Sequence, residues 1–160
     1  MHFTFEEFAT ILSKIEACLN SRPLSSMSND PSDLQPLTPG HFLVGGPLLA
    51  PAEPALLNSP LTIVNRWLKV KAIYQQFCIR WKHEYLTELH KRNKWKVPQP
   101  DLKIDDLVVL RDDNLPPTQW RLGRVTHLYH GADKKTRVVD IRTEKGTITR
   151  PLSKLTLLPS

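Results

Sequence analysis

The chain is poor in the residues that build covalent or metal frameworks. Cys18 and Cys78 are its two cysteines, and both fall within apolar-periodic stretches. That placement fits neither a disulfide network nor a zinc knuckle and points to buried thiols in a reducing compartment. No apolar run approaches the roughly 20 residues of a membrane span. The first residues also lack the basic-then-apolar pattern of a secretory signal. An intracellular location and no membrane partner are therefore expected. There is no glycine-rich phosphate loop, no nucleotide fingerprint and no Ser-His-Asp arrangement.

Metal ligands are equally scarce. His83 and His90 are seven residues apart on one helix face, too far to share an ion at about 1.5 Å of rise per residue. His127 and His130 approach a turn with no cysteine near them. Asp105-Asp106 and Asp112-Asp113 are adjacent pairs, and neighbours on a strand point to opposite faces, so these read as turn acids. Glu6-Glu7 sits where a helix's first turn favours carboxylates. No cofactor and no metal are expected.

Proline and regular periodicity divide the chain. Thr4 and Glu7 have capping-box spacing, flanked by Phe3 and Phe8 at staple positions. Phe8, Ile11, Leu12, Ile15, Cys18 and Leu19 then mark one helix face, which Asn20-Ser21-Arg22-Pro23 ends. Eight of the 14 prolines fall in residues 23–61, so an extended connector is expected there, with Thr38-Pro39 starting one helical turn through Phe42 and Leu43. Residues 62–92 lack proline and glycine. Ile63, Trp67, Val70, Tyr74, Phe77, Cys78, Trp81, Tyr85 and Leu89 follow helical spacing, which predicts one long helix.

The last 60 or so residues carry strand and turn signals. The β-rich run Leu107-Val108-Val109-Leu110 comes first, then residues 120–129 with Trp120, Leu122, Val125 and Leu128 as the inward set. A turn at His130-Gly131-Ala132-Asp133 precedes a strand over 136–143. Glu144-Lys145-Gly146 makes a tight hairpin into 147–150, and 155–158 ends the series. Short strands joined by tight turns favour a small barrel, because closure hides edges. The fold class is thus α+β: an N-terminal helix, a proline-rich connector, a long basic helix, and a small five-stranded SH3-like β-barrel.

Charge is unevenly distributed about a net of +6. Residues 1–61 hold two basic and six acidic side chains; residues 62–97 hold nine and two; residues 98–160 hold 11 and eight. The positive field centres on the long helix and favours polyanionic partners.

Two stretches carry a family likeness. The first is Ile15-Glu16-Ala17-Cys18-Leu19-Asn20-Ser21-Arg22-Pro23-Leu24, followed by Leu37-Thr38-Pro39-Gly40-His41-Phe42-Leu43. The second runs Asp106-Leu107-Val108-Val109, then Pro116-Pro117-Thr118-Gln119-Trp120-Arg121-Leu122-Gly123-Arg124-Val125, Gly131-Ala132-Asp133, Arg137-Val138-Val139, Arg150-Pro151 and Leu155. Together they resemble the end of the catalytic core and the C-terminal domain of integrases from Pao-type (BEL/Pao) LTR retrotransposons. Where that family often has glycine after the turn aspartate, Asp133 is followed by Lys134.

The resemblance implies three segments. Residues 1–61 correspond to the end of an RNase H-like core with its connector, 62–97 to the long basic amphipathic helix, and 98–160 to an SH3-like integrase C-terminal domain. It implies DNA or RNA binding without sequence specificity, contact with other integrase chains, a role in DNA integration, and a nuclear site of action. Integrase cores hold two metal ions with two Asp and one Glu. No position here matches any of the three, so the chain is expected to be non-catalytic. The first helix is expected to need the long helix, the connector or another chain to cover its apolar face.

Candidate nucleic-acid contacts on the helix and the segment after it are Arg66, Lys69, Arg80, Lys82, Lys91, Arg92, Lys94 and Lys96, with Trp67, Trp81 and Trp95 as core or stacking residues. In the barrel they are Arg121, Arg124, Lys134, Lys135, Arg137 and Arg150, with Arg142 and Lys145 nearby. Strand alternation puts Arg121 opposite Arg124, so these cations form either a backbone-binding groove or scattered solubilising charge. The other reading of the whole chain is a protein-interaction module or a folded remnant of a mobile element.

Overall fold

A computed structural model describes residues 3–48, 66–92, 102–112, 115–116, 118–131 and 136–159, with backbone alone at 90–92. Helix α1 spans Phe5–Asn20. Its start is the expected capping box. The Glu7 N–H donates to Thr4 Oγ1 at 3.3 Å, and the Thr4 N–H donates to Glu7 Oε2 at 2.9 Å, so two otherwise orphaned amides are satisfied.

The long helix, α3 (Arg66–Arg92), provides the cover that α1 needs. Cys18, Tyr74 and Cys78 form a buried cluster flanked by Ile15 and Trp81. The apolar stripe on α1 is wider than that contact, and Phe5, Phe8 and Leu12 stay exposed.

The connector is more structured than its prolines imply. Between the two helices, β1 (Ser25–Ser26) pairs antiparallel with β2 (Pro36–Leu37). Helix α2 (Pro39–Val44) follows Thr38, with Pro39 in its first turn as expected. Here a histidine takes the role usually filled by Glu, and His41 Nδ1 accepts from the Thr38 N–H at 3.0 Å.

Five strands complete the molecule: β3 (Leu107–Leu110), β4 (Arg121–His130), β5 (Thr136–Thr143), β6 (Gly146–Pro151) and β7 (Leu155–Leu157). All pairings are antiparallel, in the order β6-β5-β4-β3-β7. A 3-10 turn at Leu152–Lys154 carries the chain from β6 back to β3's free edge. The architecture is α+β with a five-stranded antiparallel sheet. Among the described residues no pairing joins β6 to β7, so the expected barrel is seen as a ladder with two edges. The β5–β6 hairpin turns where expected, and Gly146 adopts φ +115°, a conformation open chiefly to glycine.

The sheet buries both faces. Val108, Leu110, Val125, Val139, Ile141 and Leu155 make one core. Leu107, Val109 and Leu158 make another with Leu86 of α3, and Trp120, Leu122, Tyr85 and Leu89 pack against it. The expected single inward set of β4 therefore splits. Trp120 and Leu122 face α3, whereas Val125 and Leu128 join the first core. Plain alternation already puts Leu122 and Val125 on opposite faces, and the register shift between Val125 and His127 accounts for Leu128. An extra residue reverses alternation, so Leu128 regains the side of Val125.

Gly123 pairs with Val108 and Thr143 inside this core. A Cβ there would strike Ile141 Cγ2 and lie 2.8 Å from the Arg142 carbonyl oxygen. Gly123→Ala is accordingly expected to destabilise by about 2–3 kcal/mol through overpacking; urea unfolding checks this, and a loss below about 0.5 kcal/mol would show that β4 and β5 can part freely.

Candidate nucleic-acid interface

Several cations counted as phosphate-facing are turned inward. Lys82 leaves α3 towards the segment before β4. Its Nζ donates to the carbonyls of Pro116 at 2.8 Å and Gln119 at 2.7 Å and sits 5.0 Å from the Trp120 ring centre. Burial pushes this ammonium down to about 8 from its ordinary 10.5, while the two carbonyl acceptors pull the other way.

Arg124 is 4% exposed. Its Nε donates to Asp33 O, Nη1 to Asp105 O and Nη2 to Ser28 O, each at 2.8 Å. Arg142, its direct partner across β4 and β5, reaches the Pro31 carbonyl. The two arginines clamp the connector turn to the sheet. Lys82 and Arg124 are thus corrected from candidate phosphate contacts to internal fasteners. A residue type that seeks carbonyls as readily as phosphates cannot be sorted by spacing alone.

Two further candidates are ion-paired. Arg66 grips Glu7 of α1, with Nη2 to Oε2 at 2.9 Å, and this guanidinium, with the Thr4 N–H, holds the Glu7 carboxyl below its usual range. Arg121 meets Asp112 at 2.8 Å.

On the open surface Arg80 pairs along the helix with Glu84 at 2.9 Å, and Lys69 is half-buried. Arg137 and Arg150 are exposed on the sheet, as is Lys145 in the β5–β6 turn. Lys91 and Arg92 lie in the last turn of α3, their side chains outside the described part. Lys94, Lys96, Lys134, Lys135 and Trp95 lie outside the described residues altogether. Among the described residues the basic surface is therefore smaller than the sequence count implies and is split between α3 and the sheet.

The tryptophans sort cleanly. Trp81, Tyr85 and Trp120 form an aromatic junction between helix and sheet, with ring centres 5.4 to 6.1 Å apart. The Tyr85 hydroxyl donates to Pro23 O at 2.6 Å, and the Trp120 indole N–H donates to Ser21 Oγ at 3.3 Å. Trp67 is half-exposed, between the ammonium groups of Lys14 and Lys71. Cys18 and Cys78 are buried, unbridged thiols. Cys78 is pushed up by its hydrogen bond with Cys18 and by burial.

Beside the aromatic junction lies a small solvent-open cleft of about 40 Å³, between α3 and the segment joining β3 to β4. Lys82, His83, Arg111, Asp112, Gln119, Trp120 and Arg121 contribute to its walls. A second hollow of about 170 Å³ shares Asp112, Leu115, Gln119, Trp120 and Arg121 and extends it to Glu144 and Lys145. Sequence reasoning passed over Arg111. Its one signal was a guanidinium placed directly after a fully apolar strand.

A sequence-family model described as "Family of unknown function (DUF5641)" matches residues 65–158, more than half of the chain. The match covers α3 and the whole sheet together. No curated protein matches, and no solved structure matches. No described helix is long and apolar enough to cross a membrane.

Two consequences can be measured. Arg124→Met leaves three carbonyls without their donor and should destabilise by about 2–4 kcal/mol while exposing residues 28–33 to limited proteolysis; wild-type cleavage at those bonds would show that the clamp holds nothing. For Lys82, the unfolded chain keeps its proton between pH 8 and 10.5, where the folded chain has released it, so folded stability rises with pH across that window. The gain is at most about 1.4 kcal/mol per pH unit, and the carbonyl acceptors narrow the window from its lower end. Lys82→Met should lack this gain, and parallel stability–pH curves for the two proteins would show a hydrated ammonium.

Proposed function

The chain belongs to the DUF5641 family, and for it we propose binding of nucleic acid, DNA or RNA, without sequence specificity, through the family-matched segment. One observation carries this reading. Residues 65–158 hold 20 of the 22 basic side chains and ten of the 16 acidic ones, a net charge of +10, while residues 1–64 are net −4. Among the described residues, Arg66, Lys82, Arg121, Arg124 and Arg142 are engaged internally. The Arg66 and Arg121 charges are neutralised by pairing, and those of Lys82 and Arg124 are spread over carbonyl dipoles. Enough remains on α3 and the sheet for a polyanion, whose affinity comes from counterion release and needs no groove that reads bases.

The likeness to Pao-type integrases supports DNA integration in the nucleus as the process served, with this chain gripping the strand and cutting or joining nothing. Under the same reading, α1 is the closing helix of an RNase H-like core. Its exposed stripe of Phe5, Phe8 and Leu12, with Phe42, Leu43 and Val44 of α2, favours contact with more integrase polypeptide. A protein-interaction role for the N-terminal part is the second reading, and this stripe is what favours it.

Unrelated DNA duplexes should bind with similar affinity, and binding should weaken steeply between about 50 and 200 mM salt. Neutralising Lys69, Arg137, Lys145 and Arg150 together should flatten the salt slope by about 0.9 for each lost phosphate contact, equally for every sequence. Fluorescence anisotropy decides. Absence of duplex and single-strand binding at low salt sinks the nucleic-acid reading and leaves the interaction role.

A further inference from the structure

The cleft beside Trp120 holds more positive charge than its own residues neutralise. Among the described residues Lys82, Arg111 and Arg121 line it as cations, and Asp112 is the one carboxylate in the same wall. Asp112 is already taken by Arg121 at 2.8 Å. Lys82 gives two of its N–H bonds to carbonyls but keeps its charge. Arg111 is different. Its backbone N–H is used, bonded to Lys154 O at 3.0 Å. Its half-buried guanidinium meets no acceptor among the described residues, and its Nε is out of reach of water with its hydrogen bond unmade. A buried donor without an acceptor costs about 1–3 kcal/mol, more when charged. Native structures seldom carry that cost without a ligand, ion or water to offset it.

We infer that this cleft is a binding site for a phosphate monoester, taken by the Arg111 guanidinium with Lys82 supplying a second positive charge. The charge count selects the ligand. Lys82 and Arg111 leave about two positive charges uncompensated, which a monoester of charge −1.5 to −2 matches and a carboxylate or bridging phosphodiester does not. The geometry fits as well. The terminal edge of a guanidinium presents two parallel N–H donors to two phosphate oxygens, with the water-excluded Nε behind it. His83, from the facing turn of α3, and the Gln119 amide stand on the same walls as further donors. The extension of the hollow, walled by Glu144 and Lys145 as an opposite-charge pair of residues, leaves room for the group esterified to the phosphate. The shared chemistry admits two sources: a small free phosphate, or the phosphorylated end of a nucleic-acid strand. The second source rests on the nucleic-acid reading above; the first does not.

The test is a titration of the full chain followed by nitrogen–proton resonances of the Arg111 Nε–H and the Trp120 indole N–H. The probes are inorganic phosphate and two oligonucleotides of one sequence, one with a 5′-phosphate and one with a 5′-hydroxyl. Saturable shifts of both resonances with inorganic phosphate, abolished in Arg111→Met, establish the site. A preference of about tenfold for the phosphorylated oligonucleotide, lost in the same variant, assigns the strand end as its source. Saturable phosphate binding with no such preference assigns the small free phosphate. No saturable shift with any probe overturns the site, as does binding that survives in Arg111→Met. If that variant does not fold, the wild-type titration decides alone. The two readings fail separately: phosphate binding without duplex binding removes the nucleic-acid proposal and keeps the cleft, while salt-dependent duplex binding without a response at Arg111 does the reverse.

Discussion

Burial of β3 on both of its faces is the constraint on which the rest depends. Leu107, Val108, Val109 and Leu110 are each 5% exposed or less. Val108 and Leu110 fill the sheet's own core, while Leu107 and Val109 lie under Leu86 of α3. Parting α3 from the sheet would expose one of those faces, at roughly 25 cal/mol for each Å² of apolar surface uncovered. Helix and sheet therefore stand or fall together. The family match, which begins at the helix and ends after the last strand, covers that same unit. The junction of Trp81, Tyr85 and Trp120 then fixes how the helix lies, because edge-to-face rings tolerate little sliding.

Upon that unit the N-terminal residues are fastened mostly by polar groups. The Arg124 guanidinium collects carbonyls from Ser28, Asp33 and the turn before β3. Tyr85 takes Pro23, Trp120 takes Ser21, and Arg66 takes Glu7. A proline-rich strand has few amides to donate and many carbonyls to offer. Buried cations are the natural complement of such a strand. This chain spends arginines on the interior for that reason, although the same side chains, read as a list, look like a surface for phosphates.

Local rules were the legible part. Thr4 and Glu7 foretold the first helix start, the proline-free stretch foretold α3, and the alternation and turns foretold five strands in order. What was not legible depended on contacts distant in sequence. Nothing near Arg124 announces partners some 90 residues earlier. Nothing near Lys82 announces the carbonyls of Pro116 and Gln119. Period two alone separates Trp120 and Leu122 from Val125, whereas Leu128 joins Val125 through one shift that such a count cannot register. Charge could be counted from sequence, but its destination was decided by the tertiary structure. Of the cleft, the residue types were visible and the convergence was not; Arg111 was overlooked because it stands alone in sequence.

The bond from Trp120 to Ser21 joins residues 99 apart. On a ribosome, α1 emerges before the strands, and the surface that receives its C-terminal end is complete only when Trp120 has been made. Chains dominated by such long-range closures fold slowly, because loop entropy is spent before any contact returns it. Through that interval α1 can rest on α3, with Ser21 still lacking its Trp120 donor. Chaperone dependence during synthesis should thus be set by how late the sheet arrives rather than by the stability of the finished fold.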